Sequence, residues 1–312
     1  MTESEFMQSC LQDGIRVDGR SFLSARSIDI SFGDELGNCT VAIQGTRVST
    51  SVRATLMPPR SDRPYEGFLQ ITTDISPMAG VEYDTTGGGA NSSARNREVL
   101  FDRLIEKAVR RTEAVDREAL CVVAGEQVWN VHLTVHLLSD TGAALDAAVL
   151  ASMLSLRHFR RPDYSIDNGN VHLYSADERV PVPLAIHHTP LCVTFAIFNN
   201  SSPTTTNPTL SDNVGDDHLI ETHSSTHTTS ASTTVALLDP SLLEEALAAS
   251  KLTLVLNAQR EICVLDKSYG SPLHPQTLLD LINVGLRRIQ ELTDRLEDAL
   301  KKDAETRVVE VI

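Results

Sequence analysis

The 312-residue sequence predicts an α+β protein in which helices pack against antiparallel-rich sheets. Three observations predict it. Several runs alternate apolar and polar residues, two helical repeats interrupt them, and a long amphipathic stretch lies near the C-terminus. Hydrophobic residues make up 41% of the chain, enough for one large core or two modest ones.

Ser27–Phe32 and Cys39–Met57 alternate, with breaks at Gly33–Gly37 and Gln44–Arg47. They read as strands joined by hairpins, and Phe68–Ile75 continues their sheet. Tyr83–Ser93 carries Gly87, Gly88 and Gly89 among Ser and Thr, the composition of a mobile loop. Arg97–Arg111 is expected to be a helix with Val99, Leu100, Leu104, Ala108 and Val109 on one side. Val128–Leu138 alternates again. Gly142 then opens a second helix, rich in small residues suited to close packing on a sheet, which Pro162 ends. Residues 199–234 are dominated by Ser, Thr, Asn and His without any period, so they read as a disordered insertion. Asp216, Asp217, His218, His223 and His227 within it are spaced too irregularly for a metal centre. Leu252–Leu256 and Glu261–Leu265 suggest two more strands. From Pro275, apolar residues at spacings of three and four predict a long helix.

The formal net charge is −15, which argues against a free-standing nucleic-acid binder but leaves room for a local basic patch. The five cysteines, Cys10, Cys39, Cys121, Cys192 and Cys263, form no CxxC pair and read as reduced thiols of an intracellular protein. No apolar run approaches a membrane span, and the acidic Met1–Asp13 segment has no apolar signal core.

Several motifs carry a resemblance. They are Gly14–Arg20, Gly45–Val48, Tyr65–Gly67, Cys121–Trp129, Asp146–Ala148, Arg160–Asp163, Pro183–Phe195 and Leu238–Pro240. Together they resemble the RNase PH-like family, and within it the ring subunits of the eukaryotic RNA exosome. The resemblance implies an RNase PH-like fold, of the kind seen in ribosomal protein S5 domain 2. It also implies this division: a tail at 1–12, a first part at 13–198, the insertion at 199–234, a second part with the C-terminal helix at 235–300, and a charged tail at 301–312.

Active family members cleave RNA from its 3′ end with inorganic phosphate, chemistry that needs cations for the phosphate and carboxylates for a divalent metal. In them a Gly-Gly-Thr-Arg-like turn opening the second helix holds the phosphate, and two aspartates lie six residues apart. The corresponding positions here are Thr141–Asp146, which has no arginine, and the pair Glu245 and Lys251. Glu244 offers another carboxylate. The expectation is a non-catalytic subunit with no catalytic residue, metal or cofactor. Its partners would be other RNase PH-like chains in a six-membered ring, S1/KH-type cap subunits, associated nucleases and single-stranded RNA, in nucleus, nucleolus and cytoplasm. A phosphorolytic exoribonuclease, or a chain completing a neighbour's site, is the alternative.

For RNA contact the resemblance points to Arg60 and Arg63, in a loop stiffened by Pro58, Pro59 and Pro64, and to Arg95 and Arg97 at the first long helix. Each could equally be a solvated or ion-paired surface arginine. Arg110 and Arg111 read as complements to their helix end. His187 and His188 have no Asp or Ser in fixed relation, which favours a structural or interface role.

Overall fold

The computed structural model describes residues 2–80, 83, 91–167, 170–175, 178–200, 233–270 and 272–307. Two sheets enclose the main core. The first is built from β1 (Ile28–Phe32), β2 (Cys39–Ile43), β3 (Thr46–Met57), β4 (Phe68–Ile75), β5 (Cys121–Val123) and β6 (Gln127–Ser139). Its order is β1-β2-β3-β6-β4, with β5 pairing β6. All its pairings are antiparallel except β4, which runs parallel to β6. The second sheet has the order β12-β11-β13-β14, from β11 (Leu191–Asn200), β12 (Thr233–Leu238), β13 (Ser250–Leu256) and β14 (Ile262–Ser268).

Between the sheets lies α3 (Ala144–His158), which meets β2, β3 and β6 on one side and β11 on the other. Its small residues, Ala147, Ala148 and Ala151, are fully buried, so both sheets can approach closely. Beside it α2 (Asn91–Val109) packs on β4, α3 and β14. Strand register sorts the second sheet into two faces. Thr194 pairs with Thr253 on the side of α3, whereas Phe195 pairs with Leu252 on the side of α5 (Pro275–Thr306). There Gly285 lies against Leu254, Leu256 and Phe195, and an added Cβ would stand 3.2 Å from a Leu256 methyl.

The structure corrects the expected ends. Of the expected tail at 1–12, residues 2–12 are ordered structure: α1 (Glu3–Gln12) starts on a capping box of Thr2 and Glu5, which satisfies orphan amides reciprocally. Met7 and Leu11, four apart on one face, bury against Ala196, Phe198, Val235 and Leu237. The strands β11 and β12 run into the expected insertion, pairing Asn199 with Thr234, while 201–232 lie outside the described residues. The expected loop lies outside them at 84–90 as well. The last helix continues past 300 to Thr306, and Arg307 donates to the Gly33 and Asp34 carbonyls at 2.6 Å. Further elements not read from sequence include β12, α4 (Leu242–Leu247), a two-residue pairing of β7 (Arg160–Arg161) with β10 (Val182–Pro183), and the hairpin of β8 (Tyr164–Asp167) and β9 (Asn170–Leu173). Among the described residues no helix is long and apolar enough to cross a membrane.

Candidate functional site

The motifs that stand apart in sequence meet around the Leu238–Pro240 segment. Arg16 is 2% exposed and Glu244 is fully buried. The guanidinium donates to both Glu244 oxygens at 2.8 and 2.7 Å, and to the Leu238 and Asp239 carbonyls at 3.0 and 2.8 Å. Arg26 grips the Asp239 carboxylate at 2.6 Å and also reaches the Gly142 carbonyl at 2.9 Å. The Thr46 hydroxyl accepts from the Thr141 amide and donates to the Gly142 carbonyl, so the Gly45–Val48 motif fixes the turn that opens α3. Only glycine fits at 142. Its φ is 112°, and a Cβ would stand 2.4 Å from the Pro240 carbonyl.

Beyond this turn opens a cleft of about 430 Å3. It is lined by Tyr83, Arg97, Asp140, Leu145, Glu245 and Lys251, with Leu100, Phe101 and Leu104 of α2 along one wall. At its floor the carboxylate of Glu245 takes two donors. The Ala143 amide donates to one oxygen at 2.8 Å and the Lys251 ammonium to the other at 2.6 Å. Burial alone would lower the Lys251 pKa, but the adjacent Glu245 outweighs it and holds the ammonium charged. The neighbouring Gly142 amide is likewise taken, by Asp140 at 2.8 Å, and Asp140 also accepts from the Tyr83 hydroxyl at 2.7 Å. Burial, then the Asp140 charge, push the Tyr83 phenol upward, so it stays a donor.

This donor set does not fit a divalent cation. The position opposite Glu245 carries an ammonium in contact with it, and Glu244 is committed to Arg16. Among the described residues no cluster of three or more His, Cys, Asp or Glu could hold a metal ion. Asp146 turns the other way, accepting from the amide and hydroxyl of Thr194 at 2.9 and 2.7 Å. Burial raises its pKa.

The expected RNA-contact arginines divide between two places. Arg60 and Arg63 share a pocket of about 440 Å3 with Arg110 and Arg117. There Arg63 pairs with Glu66 at 3.0 Å, Arg117 with Glu66 at 3.2 Å, and Arg110 with Glu106 at 2.7 Å. Arg60 sits 5.5 Å over the Phe68 ring. Arg97 lines the other cleft, and the Arg95 side chain lies outside what is described. Helix α2 ends at Val109, so Arg110 belongs to the Arg60 pocket rather than to a helix terminus alone. Arg117 joins it from a turn more than fifty residues away, a contact with no local sequence signal. Ile186 bridges to Val115 and the His187 amide donates to the Ala114 carbonyl at 2.9 Å, which makes that segment a brace between the sheets' connections.

Comparisons with known proteins give the family. Family models for the 3′ exoribonuclease family match domain 1 over residues 24–162 and domain 2 over residues 232–288. The chain is 36% identical over 306 residues to the exosome complex component RRP45 of Saccharomyces cerevisiae, covering 98% of this chain and 92% of that protein. It belongs to the RNase PH-like family, on the RRP45 branch. The Schizosaccharomyces pombe RRP45 is 32% identical, covering 97% of this chain and 91% of its own length. Among solved structures, a chain of the Archaeoglobus fulgidus exosome with RNA bound to the active site superposes with a TM-score of 0.68. It is 22% identical, with 94% of this chain and 97% of that chain covered. The RRP45 branch is the polymyositis/scleroderma autoantigen subunit, so the family read from the motifs is the one the comparisons give.

Proposed function

We propose that this chain is a non-catalytic ring subunit of an exosome core, supporting 3′-to-5′ RNA processing and degradation. The observation that carries the reading is the floor of the cleft. The helix-end amide and the ammonium that could hold a phosphate are both spent on Glu245. An incoming phosphate would have to displace a half-buried carboxylate held by two hydrogen bonds and then sit beside its charge. Ala144 and Leu145 add no cation there. The near-complete coverage of the Saccharomyces cerevisiae and Schizosaccharomyces pombe RRP45 proteins supports the ring role, and the archaeal exosome chain supports the shared fold.

In this reading the partners are other RNase PH-like subunits, S1/KH-type cap subunits and associated nucleases, in nucleus, nucleolus and cytoplasm. Single-stranded RNA passes Arg60 and Arg63, with Arg95 and Arg97 as further contacts. Arg60 is the strongest of these, because its guanidinium lies over Phe68 and makes no ion pair among the described residues.

Native mass and subunit content of the particle purified from its own cells test the proposal. Recovery with other RNase PH-like chains in equal amounts is expected, as is no phosphate-dependent RNA shortening by the isolated chain. Recovery as a homo-oligomer with that activity would overturn it. In the particle, Arg60→Glu with Arg63→Glu should shorten the RNA segment protected from nuclease without loss of assembly.

A further inference from the structure

The loop between β1 and β2 is clamped from two sides by helix ends. On one side the Gly37 amide donates at 3.1 Å to Nδ1 of His158, the last residue of α3. On the other, Arg307, just past α5, holds the Gly33 and Asp34 carbonyls. One carboxylate joins the two clamps. Oδ2 of Asp303 lies 3.0 Å from Nε2 of His158 and 3.2 Å from Nε of Arg307. The circuit closes on itself, running from the loop through His158, Asp303 and Arg307 and back to the loop.

This geometry fixes the state of the imidazole. Its Nδ1 accepts from a backbone N–H and so carries no proton, while the single proton sits on Nε2 and points to Asp303. A second proton would have to enter at Nδ1, where it would meet the Gly37 N–H donor to donor. The bond to Asp303, in contrast, survives as a charge-assisted one. The charged groups facing the imidazole are Asp303 and Arg307 from the end of α5 and Arg160 from β7. The Phe32 ring of β1 lies 4.6 Å away, and on β2 the Cys39 thiol sits near Asp303. Glu35 in the loop is turned to the Asn38 side-chain amide at 3.3 Å, and Arg157 of α3 to Glu297 at 4.0 Å. Burial, joined by Arg307 and Arg160, outweighs Asp303 and holds the His158 pKa below its ordinary value.

We propose that His158 is an acid-operated release for the 33–38 loop. The neutral imidazole holds Gly37. A proton taken from solvent at Nδ1 expels the amide and leaves the imidazole bound to Asp303 alone. Protonation also sets three cations, His158, Arg160 and Arg307, around that one carboxylate. Arg307 is 24% exposed against 6% for His158, so it is the partner that gives way, and its hold on Gly33 and Asp34 goes with it. The loop and the end of α5 then part, while β1 and β2 stay paired. Because the folded pKa is depressed, the released imidazole takes up its proton first. The latch is complete above the unfolded value of about 6.5 and weakens as pH falls below it.

The test is hydrogen–deuterium exchange of the purified full chain, corrected for its intrinsic pH dependence. It is read by mass spectrometry on peptides covering 33–38 and, as reference, β6. From about pH 7.5 to about pH 5 the protection of the loop should fall about tenfold or more, with β6 unchanged. His158→Asn sets an amide oxygen near the Nδ1 position without a titrating group, so its loop should keep one level of protection at both pH values. In spectra of nitrogen-labelled histidine, the signal lost in that variant should report an imidazole protonated at Nε2 only. Arg160→Gln is a second variant, should His158→Asn fail to reach the parent's circular dichroism spectrum. It removes a cation facing the imidazole, so its loop should begin to lose protection at a higher pH than the parent's. Unchanged protection of the parent at the lower pH would overturn the proposal. So would the same fall in His158→Asn, which would place the titration on Asp303, no shift in Arg160→Gln, or an imidazole protonated at Nδ1 at the higher pH.

Discussion

Replacing Arg16 by Met removes the guanidinium that joins the N-terminal turn to α4 and leaves three groups stranded. The Glu244 carboxylate has no exposure at all, so its charge would stay buried opposite a thioether. Breaking a buried pair from one side costs about 3–5 kcal/mol. The Leu238 and Asp239 carbonyls lose bonds of 3.0 and 2.8 Å, each worth about 1 kcal/mol net. Against a total stability of about 5–15 kcal/mol, that is a third or more. Glu244→Met should cost a comparable amount, because the guanidinium is then the uncompensated charge. Glu244 also closes the capping box of α4, accepting from the Ser241 amide at 2.7 Å. The double variant Arg16→Met, Glu244→Met therefore keeps a loss of about 1 kcal/mol for the cap, in addition to the carbonyls. It should nonetheless be less destabilised than the sum of the single changes by at least about 2 kcal/mol. Urea unfolding followed by far-ultraviolet circular dichroism measures all three. Single losses under about 1 kcal/mol, or losses that simply add in the double variant, would refute the assignment of this pair as a buried strut.

Other outcomes follow from the same coordinates. Burial raises the Asp239 carboxyl, but the hydrogen bond and charge of Arg26 outweigh it, leaving the folded pKa below the ordinary value. Its contribution is complete above the unfolded value of about 3.9 and drains away as pH falls through the folded one. The stability gap between the parent and Asp239→Asn should therefore be constant from pH 7 to 5 and narrow below about pH 4, as read from thermal midpoints. Cys39 and Cys192 are 1% and 2% exposed, and burial pushes the Cys39 thiol up to about 12. In the folded chain, iodoacetamide at pH 8 should label Cys10, Cys121 and Cys263 while sparing those two, as peptide mass mapping would show. Glu245→Ala releases the Ala143 amide and the Lys251 ammonium into one cleft. Millimolar inorganic phosphate should then raise the melting temperature of the variant by a few degrees and leave the parent unchanged. Equal response of both would show that Glu245 does not occupy the anion position.

Where the chain alternates over a long run, its sheet could be read directly. Val131, Leu133, Val135 and Leu137 on one face of β6 are buried as that pattern demands. The helix from Pro275 was legible for the same reason, since its apolar residues keep one face over many turns. Short elements were not. The six residues of α4 show too little periodicity, and they form because Ser241 and Glu244 cap one another and Arg16 holds Glu244 from outside. The N-terminal helix was missed because an acidic segment with few apolar residues looks like a tail until Met7 and Leu11 find their pocket. At the site, the absence of arginine from Thr141–Asp146 and the placing of Lys251 six residues after Glu245 were visible in the sequence. The closure of the gap was not. The Glu245–Ala143 bond spans 102 positions, and nothing local to either residue announces it. Arg110 and Arg117 joined Arg60 and Arg63 for the same reason: the pocket is a product of the fold.

The Arg16–Glu244 bond spans 228 positions and Arg26–Asp239 spans 213. Synthesis is vectorial, so the first partner of each pair leaves the ribosome long before the second exists. At about 5–20 residues per second, Arg16 waits on the order of ten to fifty seconds for its carboxylate. During that interval the turn that opens α3 also lacks the Pro240 backbone on which Gly142 closes, and α1 lacks the strand that buries Met7 and Leu11. The first sheet can form early, but its N-terminal strap is locked only by the last third of the chain. A nascent chain stalled or truncated before residue 244 is therefore left with free cations and an uncovered apolar helix, a chemical signature by which quality-control factors could tell unfinished copies from finished ones.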